Sequence, residues 1–184
     1  RTDGHRWRAR SCAIMTGIGT IKSDNPQLTV RHIETTRQPK KIVLDSQLSI
    51  PLGASLLQDE SAIIFTADHH NQAKISQLTK LGVQVIPLPA NDGTVDLEKM
   101  LTLLATDFAM NEILVEAGSN LNGALLNANL VDEIILYLAP HLLGDDAQGI
   151  FRLPELVDLE QKKTLIFEDI RTVGQDIRIV ARFR

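Results

Sequence analysis

An α/β domain built on a largely parallel sheet is the fold class this sequence predicts, on three observations. Apolar runs of strand length alternate with stretches of helical period along the 184 residues, which is the pattern of successive strand and helix units. Most of those runs are short, β-branched and apolar on both sides, as strands covered on both faces should be. The chain is 43% hydrophobic and 23% charged, an ordinary globular balance that supplies one domain with a sizeable core.

The elements follow in chain order. The sequence begins at Arg1 inside what reads as the end of a helix. That stretch carries Arg6, Arg8 and Arg10, whose alternate spacing sets Arg8 apart from the other two. A strand at 12–16 leads into the turn Met15-Thr16-Gly17-Ile18-Gly19-Thr20. Pro26 keeps Asn25 out of helix, so 22–31 is expected to be an extended loop presenting Asp24 and, further along, Arg31. The polar stretch 31–41 reads as a surface loop. Strands are predicted at 41–45, 62–66, 83–86, 112–116 and 133–139. Helices are predicted at 71–81, 96–105 and 120–128, with Asp96 and Asn120 placed as N-caps before apolar-periodic runs. Segments 165–170 and 176–183, around Val173-Gly174-Gln175, read as a hairpin giving the parallel sheet an antiparallel edge. There is no internal repeat and no linker that marks a second domain.

Composition narrows the function classes. The net charge is -4 and aromatics are only 4% of residues, which argues against a stacking platform or basic face for nucleic acid. No apolar run approaches the roughly 20 residues of a membrane span, and no charged-then-apolar leader opens the sequence. The expectation is neither a membrane protein nor a secretory precursor. Cys12 is the single cysteine and the five histidines are scattered, so neither an internal disulfide nor a structural metal is expected. Cys12 reads as an inert core residue, and His141 and His69-His70 as structural or surface side chains.

The strongest local signal for chemistry runs from Ile113 to Ala124: a strand ending at Glu116, the turn Ala117-Gly118-Ser119, then a helix start through Asn120, Leu121, Asn122 and Gly123. Free N–H groups at a helix N-terminus, with glycine to admit close approach, can hold a phosphate. An ordinary strand-to-helix turn satisfies the same spacing. Glu116 sharpens the picture, because a carboxylate at the carboxyl end of a buried strand is costly without partners and lies where α/β sheets take ligands. Gly17-Ile18-Gly19 with Asp45 loosely imitates the dinucleotide-binding pairing of a glycine-rich turn and a ribose-binding acid. Ser23 stands near where its third glycine belongs, and Asp45-Ser46 reads equally as a strand end entering a turn. Asp24 can position or protonate a reacting centre and Arg31 can fork onto a phosphate, or the first caps a turn and the second is solvated.

Five separated motifs in order carry a family resemblance. They are Gly17-Ile18-Gly19-Thr20 with Ser23 through Arg31, Val43-Leu44-Asp45-Ser46, Val115-Glu116-Ala117-Gly118 with Leu121 through Leu126, Leu130-Val131-Asp132-Glu133, and Leu142-Leu143-Gly144-Asp145-Asp146-Ala147. The chain resembles the C-terminal reductase domain of the bifunctional riboflavin-biosynthesis deaminase/reductase, in register from about Arg8 to the C-terminus. The resemblance implies a dihydrofolate-reductase-like fold and NADPH as cofactor. It implies as substrate 5-amino-6-(5-phosphoribosylamino)uracil, a phosphorylated pyrimidine whose ribosyl chain becomes ribityl by hydride transfer to the sugar carbon bonded to nitrogen.

Carried over position by position, the resemblance assigns Thr20 and Asp24 to the nicotinamide side, with Asp24 the expected catalytic residue helping to deliver a proton. It assigns Ser46 to the adenosine ribose and Gly118, Ser119, Asn120, Leu121, Asn122, Gly123 and Ala124 to the pyrophosphate. Arg8, Leu28, Arg31 and Glu116 fall on the substrate side, and no metal is implied. The family usually has a second Asp at Asn25 and Pro at Ser119, and neither difference removes an assigned charge. Its domain opens with a strand bearing a Ser-x-Asp-Gly-Lys-like motif and a Ser-x-Trp-like segment, preceded by a zinc-dependent deaminase domain. None of these precedes Arg1, so residues 1–184 read as a reductase domain lacking its N-terminal strand. A cytoplasmic homodimer without nucleic-acid or membrane partners is the expectation. Two alternatives stand beside it: a non-catalytic nucleotide-binding or assembly fragment, and a Rossmann-type dehydrogenase of another small metabolite.

Overall fold

Runs of apolar, β-branched residues become the inner strands of a parallel sheet. The computed structural model describes residues 1–184 apart from 60, 69, 145, 146, 156, 157, 159 and 161. Two compact units make up the chain, Arg1–Leu121 and Asn122–Arg184. In the first, β1 (Ala13–Gly17), β2 (Lys40–Leu44), β3 (Ala62–Thr66), β4 (Gln84–Pro87) and β5 (Ile113–Val115) form one sheet in the order β4-β3-β2-β1-β5. Every pairing in it is parallel. All of β3 and nearly all of β1 and β2 are buried, as uninterrupted apolar sequence demands.

Helices α1 (Thr2–Arg10), α2 (Ile18–Asp24), α3 (Gln72–Lys80) and α4 (Leu97–Thr106) belong to the same unit. The Asn71 and Asp96 side chains cap α3 and α4, accepting from the N–H groups of Lys74 at 3.1 Å and Lys99 at 3.0 Å. Ile21 of α2 and Leu78 of α3 pack with Val43 and Ile64 of the sheet and with Leu48, Ile50 and Leu56 from the β2–β3 connection. Helix α5 (Ser119–Asn127) carries the division between the units. It ends where Asn129 takes a positive φ of 56°, the left-handed conformation with which helices commonly stop. The second unit holds β6 (Glu133–Leu138), β7 (Leu165–Val173) and β8 (Asp176–Phe183), an antiparallel sheet in the order β6-β8-β7.

Several sequence expectations need correction. Segment 133–139 is not one of the parallel strands: β6 pairs antiparallel with β8. The hairpin 165–183 builds this separate three-stranded sheet rather than an edge of the parallel one. An apolar run does not reveal its partner, because pairing direction is a tertiary property. Residues 18–24, read as a turn entering an extended loop, form α2, since Ile18 and Ile21 share one face and reach the core. Asn25, expected in an extended conformation before Pro26, is left-handed at φ 43° and ψ 54°. Asn120 lies inside α5 rather than capping it. Lys41 is no part of a surface loop: it is 1% exposed, and its ammonium meets Asp59 at 2.5 Å and the Leu56 carbonyl at 3.1 Å. Cys12 precedes β1 and is only half-buried. His69 and the Asp145-Asp146 part of the last motif lie outside the described residues. Among the described residues no helix is long and apolar enough to cross a membrane, and no group of three or more His, Cys, Asp or Glu is placed to hold a metal ion.

Candidate active site

The site begins where β1 and β5 end side by side. Met15 faces Val115 across the ladder, and the pairing continues one residue further. The Glu116 N–H donates to the Met15 carbonyl at 2.9 Å, and the Thr16 hydroxyl donates to the Glu116 carbonyl at 2.7 Å. Both backbone groups of Glu116 are tied, which fixes the root of its carboxylate at the carboxyl end of the sheet.

That carboxylate is met by Arg8 of α1. Arg8 Nε donates to Oε1 at 2.7 Å and Nη2 to Oε2 at 2.6 Å, a forked, charge-assisted pair. Nη1 donates to the Thr29 carbonyl at 2.9 Å. The pair is partly withdrawn from water, with side-chain exposures of 17% for Arg8 and 33% for Glu116. Arg10, by contrast, is more than half exposed and pairs with Glu112 at 2.7 Å, so the alternate spacing on α1 places a partly buried arginine beside an exposed one.

Residues 25–30 form neither helix nor strand, yet they are fastened at several points. The Asn25 side-chain carbonyl accepts from the Ser55 N–H at 2.8 Å. Leu28 is buried with a positive φ of 51°, a conformation that costs a non-glycine residue about 1 kcal/mol and is here held by side-chain burial. The Gln38 amide brackets Val30, accepting from its N–H at 2.7 Å and donating to its carbonyl at 3.0 Å. The Arg31 N–H donates to His5 Nδ1 at 3.2 Å. The Arg31 guanidinium itself is exposed and touches Gln27 Oε1 at 2.8 Å.

Three segments far apart in sequence, around Arg8, Leu28–Arg31 and Glu116, thus converge within the first unit. The residues assigned to a cofactor follow β2, β1 and β5, three adjacent strands of the sheet. Thr20 lies within α2, and Asp24 is its exposed last residue. Ser46 follows β2 half-buried, and its carbonyl accepts from the Thr66 hydroxyl and from the Ala67 and Asp68 N–H groups. A Cβ on Gly118 would meet nothing within 4 Å, and Gly118 directly precedes nine-residue α5, whose first N–H groups carry partial positive charge. Ser119, Asn120 and Leu121 open that helix. Asn122 and Gly123 are engaged elsewhere: Asn122 donates to the Ile150 carbonyl at 3.3 Å, and a Cβ on Gly123 would stand 2.1 Å from the Arg152 carbonyl oxygen. Ala124 follows on the exposed side. Asp45 is a loop anchor, accepting from the Ile50 N–H at 2.7 Å and the Ser49 hydroxyl at 3.1 Å. It is 1% exposed, so burial withholds it from a ribose.

A family model described as RibD C-terminal domain matches residues 1–179. The chain belongs to that family. The riboflavin biosynthesis protein RibD of Escherichia coli is 36% identical over 189 residues, covering 96% of this chain and 50% of the relative. The 5-amino-6-(5-phosphoribosylamino)uracil reductase of Buchnera aphidicola (subspecies Acyrthosiphon pisum) is 29% identical over 192 residues, covering 98% of this chain and 90% of that protein. The solved structure of Acinetobacter baumannii RibD, form 2, superposes with a TM-score of 0.88 at 30% identity, over all of this chain and 50% of that one. The chain spans about half the length of the first RibD relatives it matches.

Within this RibD C-terminal domain, three residues that sequence reasoning did not single out hold the cluster together. They are Thr16, which pins Glu116, Gln38, which brackets Val30, and His5, which holds Arg31. Only His5 carried a sequence signal, its three-residue spacing from Arg8 on one helical face.

Proposed function

We propose that this chain is an NADPH-dependent reductase of riboflavin biosynthesis that converts 5-amino-6-(5-phosphoribosylamino)uracil to its ribitylamino product. The observation that carries the reading is the Arg8–Glu116 pair clasped to the Thr29 carbonyl. It gathers in one place the residues that the family resemblance assigns to substrate. The bound cofactor would supply hydride to the sugar carbon attached to nitrogen. Gly118 through Leu121 would receive its pyrophosphate, with Asn122, Gly123 and Ala124 supporting the helix behind them, Ser46 would lie by the adenosine ribose, and Thr20 and Asp24 by the nicotinamide.

The chain's own residues then have separate tasks. Arg31, exposed and mounted on a fastened backbone, grips the ribose phosphate. Arg8 has three of the five N–H groups of a guanidinium committed to Glu116 and Thr29, and its remaining donors would serve the same ligand. Glu116 accepts from donors on the pyrimidine or sugar while orienting Arg8. Leu28 lends a shaped apolar wall. Asp24 assists delivery of the proton that balances hydride addition. The reaction is placed in the cytoplasm, in keeping with a single cysteine, and the working form is a homodimer.

Following NADPH consumption with the phosphoribosylamino-pyrimidine tests the proposal directly. Turnover with NADPH, and little with NADH, is the expected result. Binding of both ligands without turnover would leave a nucleotide-binding module. Turnover of a different carbonyl compound with NADH would make the chain a dehydrogenase. Asp24→Asn should lower kcat by roughly 100-fold, the size of a general-acid contribution, and full turnover in that variant would remove Asp24 from proton delivery.

A further inference from the structure

The segment that presents Arg31 is unusual in how its backbone is held. Thr29, Val30 and Arg31 in succession are bound by side chains from other parts of the chain rather than by a neighbouring strand: Arg8 takes the Thr29 carbonyl, Gln38 takes both groups of Val30, and His5 takes the Arg31 N–H. Of the three, His5 alone acts on the residue whose guanidinium must meet a phosphate. It is 7% exposed, one turn before Arg8 on α1, and its ring meets the edge of His32 at 4.6 Å between centroids and 82° between planes. The ring is therefore fixed from two sides.

We propose that His5 is a positioning residue for substrate phosphate: its Nδ1, by accepting the Arg31 N–H, sets where the Arg31 guanidinium is presented. The inference rests on the reading of Arg31 as the phosphate grip. Nδ1 can accept only while it carries a lone pair, which places the ring proton on Nε2. Burial, with Arg8, His32 and Arg31 close by, pushes the imidazole below its ordinary value of 6.5, against the pull of Glu116. These are the charged groups that face it: Arg8 from its own helix, Arg31 and His32 from the loop, and Glu116 from the end of β5. At neutral pH the acceptor is in place. Protonation turns Nδ1 into a donor pointing at another donor, and the Arg31 N–H is released.

The test is calorimetric binding of the phosphoribosylamino-pyrimidine, of its phosphate-free counterpart and of NADPH, on the protein at its natural length. His5→Leu should weaken binding of the phosphorylated compound about tenfold, equivalent to about 1.4 kcal/mol, and leave the other two ligands unchanged. His5→Asn, which keeps an acceptor near the Nδ1 position, should restore affinity to within about twofold. As pH falls below the ordinary histidine value of 6.5, the unaltered protein should lose more affinity for the phosphorylated compound than His5→Asn does, the phosphate's own titration being common to both. A folded His5→Leu protein that binds like the unaltered one overturns the proposal. So does a folded His5→Asn protein that fails to restore binding, or one whose pH dependence matches the unaltered protein; this last comparison decides the matter if His5→Leu does not fold. Arg31→Ala separates the layers. If it binds the phosphorylated compound at full strength, the phosphate-grip reading falls and takes this inference with it. If Arg31→Ala is weakened and His5→Leu is not, only the role of His5 falls.

Discussion

Two glycines of one motif have opposite tasks, and a methyl group tells them apart. A Cβ on Gly118 meets nothing within 4 Å, so Gly118→Ala should leave the thermal midpoint nearly unchanged, and if this turn seats the cofactor pyrophosphate as proposed, the same change should weaken NADPH binding. At Gly123 the same methyl would meet the Arg152 backbone at 2.1 Å, and backbone cannot step aside as a flexible side chain would. Gly123→Ala should destabilise the chain by about 1–3 kcal/mol, the usual cost of overpacking, read as a lowered urea midpoint with or without cofactor. Arg8 and Glu116 form the other residue-scale unit. Glu116→Gln keeps the shape but leaves a half-buried guanidinium with a neutral partner, and about 1–2 kcal/mol of stability should go with it. Removing both charges as Arg8→Met with Glu116→Gln should recover part of that loss, and a strictly additive double variant would show that the two residues do not act as a pair. Both motifs are legible in sequence. The division of labour between the two glycines is not, because it depends on where residues 150–152 run.

Local rules govern the elements where a cap or an ion pair stands by itself. Asp96 accepts the Lys99 N–H at the start of α4, and Asp96→Ala should cost about 1 kcal/mol of stability; a melt identical to the unaltered protein would show the cap to be idle. In the antiparallel sheet, Arg171 of β7 stands directly opposite Arg178 of β8, a like-charge pairing that destabilises a ladder. Asp169, two residues before Arg171, offsets it. Hydrogen bonds from Arg171 and then Arg178 hold its carboxyl at about 2, down from 3.8. A carboxyl depressed in the folded state contributes stability above its unfolded value and loses it as pH falls from about 3.8 toward 2. The thermal midpoints of the unaltered protein and Asp169→Asn should therefore differ at neutral pH and converge across that interval, and a gap independent of pH would refute the assignment. Beside Asp169, one extra residue between Phe167 and Asp169 makes a bulge in β7, which bends and twists an edge strand.

At the scale of the whole molecule, that edge strand carries apolar side chains in need of cover. Ile166, Phe167 and Ile170 of β7 are 52%, 60% and 58% exposed, and large apolar side chains clustered on one strand mark an association surface. If a second copy covers them, light scattering should give the mass of a homodimer, and Phe167→Glu with Ile170→Glu should shift it to a monomer whose far-ultraviolet spectrum is unchanged. A monomeric unaltered protein would end that reading. The amino-acid sequence by itself determined the inner strands, because unbroken β-branched apolar runs can only be buried on both faces, and all three helices predicted at 71–81, 96–105 and 120–128 to within a residue, two of them with local caps at Asn71 and Asp96. It also carried the family motifs, since each lies within a short contiguous stretch. Tertiary structure alone decided that β6 joins β8 antiparallel, that Ile18 and Ile21 draw residues 18–24 into a helix, that Asp45 anchors a loop, and that His5, Gln38 and Thr16 hold the segments around Arg31, Val30 and Glu116. The strand pairing, the helix and the contacts of His5 and Thr16 depend on partners tens of residues away or on burial created by other segments, while Asp45 and Gln38 bond residues four to eight positions off, through loop paths that spacing does not disclose. Periodicity and propensity report only what lies within one turn or one strand; hydrogen bonds such as Arg8 to Glu116, 108 residues apart, exist only once the sheet has brought their elements together.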